Sequence, residues 1–249
     1  LFSLVGIYGR GKLCLQIGEI GMSRRQKAEI LDFKDITEGK RYVLSCCIIA
    51  RDEEESIERA IGSVRDLADE VIVVDTGSTD GTTDLARRSG ARVVRVRWRD
   101  DFSEARNRAL AEAAGSWILV LDADEDLAPF ARGVFRELIG EHPRSAFSMR
   151  QITYTHSSSG YGLVTADTDA HGDAENCFIS DQVRLFPNDD RLRYRGRVHE
   201  SIEDSLSEAG IPVTATDHII HHYGRLAPSS RLPRKYAAYL ASAGGGMRV

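Results

Sequence analysis

The sequence predicts an α/β protein organised around a largely parallel sheet. Three observations predict it. From Tyr42 onward, apolar runs of strand length alternate with amphipathic runs of helix length. Gly, Ser, Asp and Thr gather where these runs meet. Acidic residues recur just past the apolar runs.

VLSCCIIA reads as the first strand. RDEEESIERAIGSVRDL reads as a helix with Ile57, Ile61 and Val64 on one face. DEVIVVDTGS is a strand running into turn residues, and TDGTTDLARRSG a short helix ending at Gly90. ARVVRVRW is the next strand, and its alternate arginines suggest an edge or a half-exposed face. DFSEARNRALAEAAG is again a helix, and WILVLDADEDL closes the series.

Past Leu127 the rhythm changes. APFARGVFRELIG is a helix candidate, while AFSMRQITYTH and CFISDQVRLFP are longer strands. Between those strands lies HSSSGYGLVTADTDAHGDAEN, a loop over a site or a wide hairpin turn. LRYRGRVHESIEDSLSEAG leads into another helix, and IPVTATDHIIHHYG is strand-like. The expected organisation is an N-terminal extension of uncertain role over 1–41, the α/β domain over 42–225, and a C-terminal helix or tail over 226–249. A start at Leu1 reads as a fragment or processed product, with Met22 as an alternative start, and the C-terminal end reads as open to truncation.

With 249 residues and 42% hydrophobic content, the chain can bury a sizeable core. A net charge of -5 gives no general support to nucleic-acid binding. The apolar run VLSCCIIA falls far short of a membrane span, and no signal-type segment opens the chain. Cys14, Cys46, Cys47 and Cys177 show neither a zinc spacing nor a disulfide framework. They read as buried free thiols in a reducing compartment, with Cys46 and Cys47 on opposite faces of their strand. The expected location is cytoplasmic.

Ligands of open parallel sheets bind beyond the carboxyl ends of the strands. Asp52 and Glu53 follow the first strand, Asp75 the second, and Asp122 and Asp124 the fourth. Asp75 and Asp80 also read as helix caps. Asp122 and Asp124, one residue apart, leave the same face of an extended segment and can share a divalent cation. Their hard oxygens suit Mg²⁺ or Mn²⁺, which would offset a diphosphate leaving group. The plainer reading is a solvated acidic turn. A calcium loop fails, because its sixth position is Leu127 and its twelfth Gly133. A phosphatase aspartate pair fails as well, since the pair comes late and lacks a following Gly-Thr.

Arg106 and Arg108 are two apart and do not share a helical face, so one of them faces the site. Arg106 is placed to meet phosphate or a base. Glu200, after His199, is a carboxylate able to take a proton from an acceptor hydroxyl, or simply the start of a helix. Arg184 is a candidate for phosphate or acceptor. His218, His221 and His222 offer an imidazole ligand for Mn²⁺ or are structural. Glu125 is expected to approach the acceptor and Asp126 to cap the following helix.

Together, CCIIARDEEESIERAIGSV, EVIVVDTGSTDGTTDLA, FSEARNRALAEAAGSWILVLDADE, QVRLFPNDDRLRYRGRVHESI and HHYG resemble inverting family 2 glycosyltransferases, in the right order over about residues 42–224. The branch resembled includes bacterial surface-glycan and peptide glycosyltransferases. The resemblance implies a Rossmann-like nucleotide-diphosphate-sugar transferase fold of type A, with helices on both faces of the sheet. It implies a metal-dependent (Mn²⁺ or Mg²⁺) inverting transfer from a nucleotide-diphosphate-sugar to a glycan, lipid-linked or peptide acceptor. Lipid-linked acceptors would bring peripheral association with the inner face of the plasma membrane.

By the match, Ala50 to Glu53, Asp52 included, line the nucleotide cleft and Asp75 contacts the base. Arg106 lies near base or diphosphate, and Arg184 and Asp122 complete the donor set. Asp122 and Asp124 are the metal-binding Asp-x-Asp motif, His222 approaches the metal with His221 as competitor, and Glu200 is the catalytic carboxylate. Two departures stand out: Asp52 replaces the usual Asn, and the insert over 157–176 is long. Two other readings compete. Nucleotidyl transfer would want a Gly-rich basic loop after the first strand, where ARDEEES offers only Arg51. A nucleotide- or glycan-binding module without turnover is the non-enzymatic alternative.

Overall fold

Leu44–Ala50 (β1), Glu70–Asp75 (β2), Arg92–Arg95 (β3) and Trp117–Asp122 (β4) run parallel, in the spatial order β3-β2-β1-β4. The computed structural model describes residues 44–130, 132–158, 162–166 and 174–226. The expected extension over 1–41, and the expected tail over 226–249 apart from Leu226, lie outside them, as does Cys14.

The crossovers are α1 (Ile57–Val64), α2 (Thr82–Arg88) and α3 (Phe102–Glu112). In α1 the residues Ile57, Ala60, Ile61 and Val64 recur at helical spacing and are all buried. Ile57, Ile61 and Val64 each contribute about 1.5–3 kcal/mol on burial. α3 turns Ala105 and Ala109 onto Cys47, Ile72, Val74, Ile118 and Val120, one face of the parallel strands. Strand alternation sends Cys46, Ile48, Val73, Leu119 and Leu121 to the other face, where they too are buried. Cys46, Cys47 and Cys177 are free and buried. Burial pushes the Cys47 thiol up to about 12, so it is inert.

The second half of the same sheet is mixed. Glu125–Leu127 (β5), Arg132–Glu141 (α4), Ala146–Thr155 (β6), Leu163–Thr165 (β7), Asn176–Pro187 (β8), Glu203–Ala209 (α5) and Val213–His222 (β9) follow in chain order. They extend the sheet as β4-β8-β6-β9-β5, with β7 on β8. β8 is antiparallel to β4 and pairs with it only from Trp117 to Leu119. β9 is parallel to β6, and β5 is antiparallel to β9. β3 is an edge strand, as expected, but it ends at Arg95, so Arg97 of the alternating arginines lies beyond it.

Three expectations are corrected. RDEEES is not helical: α1 begins at Ile57, because the preceding carboxylates bond a neighbouring loop instead. WILVLDADEDL is two strands, broken by a turn at Ala123 and Asp124. The long insert is not all loop, since β7 pairs with β8 within it. Among the described residues, no helix is long and apolar enough to cross a membrane.

Candidate active site

Parallel register brings the strand ends together, with Ala50 opposite Asp75 and Ile49 opposite Asp122. The loops after β1 and β2 are laced to each other. The Ala50 carbonyl accepts the Thr76 N–H at 3.0 Å. Asp52 Oδ1 accepts the Thr79 N–H at 2.7 Å, while the Asp52 N–H donates to Ser78 Oγ at 2.9 Å. The Glu53 N–H donates to Thr82 Oγ1 at 2.7 Å, and Glu54 Oε2 accepts the Gly81 N–H at 2.9 Å. Asp52 has a φ of 53°, a left-handed conformation that Asn and Asp tolerate best, so Asp for Asn is conservative there. Glu53 Oε2 accepts from Ser56 Oγ at 2.8 Å and is directed into its own turn. Asp75, 1% exposed, accepts the Ser78 N–H at 3.0 Å and lies 3.7 Å from Arg95 Nε. Asp80 Oδ1 accepts the Thr82 N–H at 3.0 Å, at the start of α2.

α3 is started by Asp101, whose carboxylate accepts the Glu104 N–H at 3.1 Å. From it Arg106 reaches two distant acids. Its Nε donates to Glu200 Oε1 and its Nη2 to Asp122 Oδ1, both at 2.7 Å. The guanidinium lies over the Tyr194 ring, 5.4 Å from its centroid. Nη1 is buried without a hydrogen bond among the described residues. Arg108 is on the surface, paired with Glu112. Burial pushes the Asp122 carboxyl up, but the Arg106 and Arg184 guanidiniums outweigh it and hold the group below its ordinary value.

Glu200 precedes α5 and sits in a closed loop. Arg195 and Ser201 exchange two backbone hydrogen bonds at 2.9 Å, with Gly196 and His199 left-handed between them. Sequence reasoning missed the residue that ties this loop to α3. Asn107 Nδ2 donates to the Tyr194 carbonyl at 2.9 Å, and Asn107 Oδ1 accepts the Tyr194 N–H at 2.8 Å. The available signal was an Asn, a poor helix former, inside a helical run.

At the other end, His222 Nε2 lies 3.5 Å from Asp124 Oδ1. Thr153 Oγ1, 3.1 Å from His222 Nδ1, orients the ring. Burial lowers the His222 imidazole, but the Asp124 hydrogen bond and the charges of Asp124, Glu125 and Asp122 outweigh it and raise the group above its ordinary value. His221, on the opposite strand face, bonds Tyr154 Oη at 2.8 Å and stacks on that ring. His218 stacks on Phe130 at 3.7 Å. Of the three histidines, His222 is thus the one beside Asp124. Gly224 is required beside it. A Cβ there would collide with Asp124 Oδ2 and come within 2.8 Å of His222 Nε2.

Four expectations need correcting here. Asp122, Asp124 and His222 do not converge as a ready-made triad: Asp122 faces Arg106, and no group of three His, Cys, Asp or Glu among the described residues is arranged to hold a metal. Glu125 does not approach an acceptor, because β5 turns it inward and leaves it 0% exposed. Arg184 is not open to phosphate; it is buried and donates to Glu125 Oε1 at 2.7 Å. Asp126 caps no helix and lies 3.7 Å from Arg59 Nε. Burial pushes the Glu125 carboxyl up to about 7, against the pull of Arg184.

A parallel half with laced strand-end loops, followed by a mixed half that returns a histidine to the end of β4, is the type A glycosyltransferase fold. The profile described as Glycosyl transferase family 2 matches residues 45–193, and the chain belongs to that family. A TPR repeat-containing protein of Synechococcus elongatus is 38% identical over 187 residues, covering 73% of this chain and 42% of its own length. The glycosyltransferase SunS of Bacillus subtilis is 26% identical over 159 residues, 63% of this chain and 34% of SunS. The chain thus spans less than half the length of these curated relatives. Staphylococcus aureus TarS superposes with a TM-score of 0.51 at 16% identity, covering 83% of this chain and 40% of TarS. Glucosyl-3-phosphoglycerate synthase of Mycobacterium tuberculosis does so with 0.50 at 22% identity, covering 92% of this chain and 87% of that one.

Proposed function

We propose that this chain carries out an inverting, metal-dependent transfer of a sugar from a nucleotide-diphosphate-sugar to a glycan, lipid-linked or peptide acceptor. The observation that carries the reading is the Arg106 bridge, which places Glu200 beside Asp122 at the strand ends. Family membership supports it, as does the TarS structure solved in complex with UDP-GlcNAc.

The laced loops beyond Ala50 and Asp75 form the nucleotide wall. Arg106 directs positive charge toward the end of β4, where a diphosphate would gain negative charge as it leaves. Arg106 holds Glu200 Oε1, and Oε2 carries no hydrogen bond among the described residues. Glu200 Oε2 takes the acceptor proton as the acceptor oxygen bonds the anomeric carbon and the carbon–diphosphate bond breaks. One carboxylate and one imidazole, Asp124 and His222, are donor types that suit Mn²⁺, and Gly224 lets the backbone pass close against both. Bound there, a divalent cation would offset the charge of the departing diphosphate.

Purified protein incubated with a panel of nucleotide sugars and Mn²⁺, read by product mass, tests this. Transfer or donor hydrolysis is expected with at least one donor, reduced about 10²–10⁴-fold in Glu200→Gln. Absence of both with every donor refutes the reading.

A further inference from the structure

Glu125 and Arg184 were candidates for ligand contact, yet both are buried. Beyond Leu119, β4 no longer pairs with β8. The backbone N–H of Asp122 nevertheless has a partner: it donates to Glu125 Oε2 at 2.8 Å. Glu125 Oε1 accepts from Arg184 Nη2 of β8 and from Gln151 Nε2 of β6, each at 2.7 Å. One side chain thus fills the wedge where the strands part, and ties the end of β4 to β8, with which it no longer pairs there, and to β6 beyond it. Stability alone does not call for this. Apolar residues of similar volume often replace a buried ion pair without loss. What they cannot do is accept the Asp122 N–H and fix the turn that follows it.

We propose that Glu125, held by Arg184 and Gln151, is a positioning residue that sets the Asp122–Asp124 turn so that Asp124 faces His222. The inference rests on the metal site of the reading above. It concerns how that site is held, not which sugar is moved. Gln at 125 keeps the shape but has one acceptor oxygen for donors on both sides, so the turn loosens. Partners of this kind typically change metal affinity or activity by 10–100-fold when removed.

The test uses the whole chain with Mn²⁺ alone as probe, free Mn²⁺ being counted by electron paramagnetic resonance. Hydrogen exchange is followed over the β4–β5 turn. Glu125→Gln should weaken Mn²⁺ binding about 10–100-fold and speed exchange at Asp122. Arg184→Met should do the same, and Arg184→Lys should recover part of the loss by restoring a cation beside Glu125. Gln151→Ala, a milder change, should weaken Mn²⁺ binding measurably but less than Glu125→Gln does. Folded variants that bind Mn²⁺ like the wild type overturn the inference, as does a wild type that binds none. If Glu125→Gln does not fold, unchanged Mn²⁺ affinity in Gln151→Ala overturns it equally. A wild type that binds Mn²⁺ but turns over no nucleotide sugar refutes the proposed function and leaves this inference to be decided by the variants.

Discussion

Arg106 and Glu200 meet at 2.7 Å across 94 residues of chain, and the same guanidinium holds Asp122. Arg106 and Glu200 are 11% and 12% exposed, so desolvation is nearly complete. Removing the cation leaves two carboxylates facing each other. Arg106→Met should lose about 3–5 kcal/mol of stability, measured by urea unfolding. Arg106→Lys should regain part of that stability, because a cation remains. A lysine cannot bridge two acids as a planar fork does, so transfer should stay below the wild-type rate. Wild-type rates in the lysine variant would contradict the bridging role.

Gly224 is where the turn after β9 passes Asp124 and His222. Gly224→Ala would push a methyl group into both, and overpacking of this kind costs about 1–3 kcal/mol. The expected result is a modest drop in melting temperature with a much larger loss of Mn²⁺-dependent transfer. Equal proportional losses in both would mean that the glycine matters only for folding.

His222 gives a pH signature. Its raised value means that the folded chain binds this proton more tightly than the unfolded one. The stability it contributes is therefore fully present below about pH 6.5 and is lost as pH rises through the raised folded value. Thermal melts of wild type and His222→Gln without added metal should converge as pH climbs. A metal ion needs the unprotonated Nε2, so Mn²⁺ should bind more tightly over the same window. His221→Phe, which keeps a ring against Tyr154, should bind Mn²⁺ like the wild type. Calorimetric titration at several pH values checks both points.

Asn107→Ala should strip the buried Tyr194 backbone of both its bonds to α3. An unsatisfied buried group of this kind costs about 1–3 kcal/mol, read by urea unfolding. Because Tyr194 leads into the Glu200 loop, kcat should fall more than donor KM rises. The reverse split would place Asn107 in donor binding instead.

The parallel half was legible because its strands are apolar runs closed by turn residues, and the acids at their ends stand out against them. Arg106 was harder. Spacing separated it from Arg108 but did not name Glu200 as its partner. RDEEES looked helical because Ile57, Ile61 and Val64 are in phase. The bonds that keep it out of the helix come from Thr79, Gly81 and Thr82, nearly thirty residues on. Glu125 and Arg184 were misplaced for a related reason. A charge next to an apolar run looks like a ligand contact until its buried counter-charge, 59 residues away, is seen.

The ladder between β4 and β8 stops at Leu119, while β4 itself continues to Asp122. The two halves of the sheet therefore part like a partly unfastened zip, and the Glu125 carboxylate stands in the fork where the next rungs would have been. Extending the ladder to the end of β4 would leave that carboxylate, Arg184 and Gln151 no fork to fill. Every acid at the strand ends would still be present, with the turn that carries Asp124 no longer tied to its anchor. In this fold, where the backbone stops pairing matters as much as which acids stand at the strand ends.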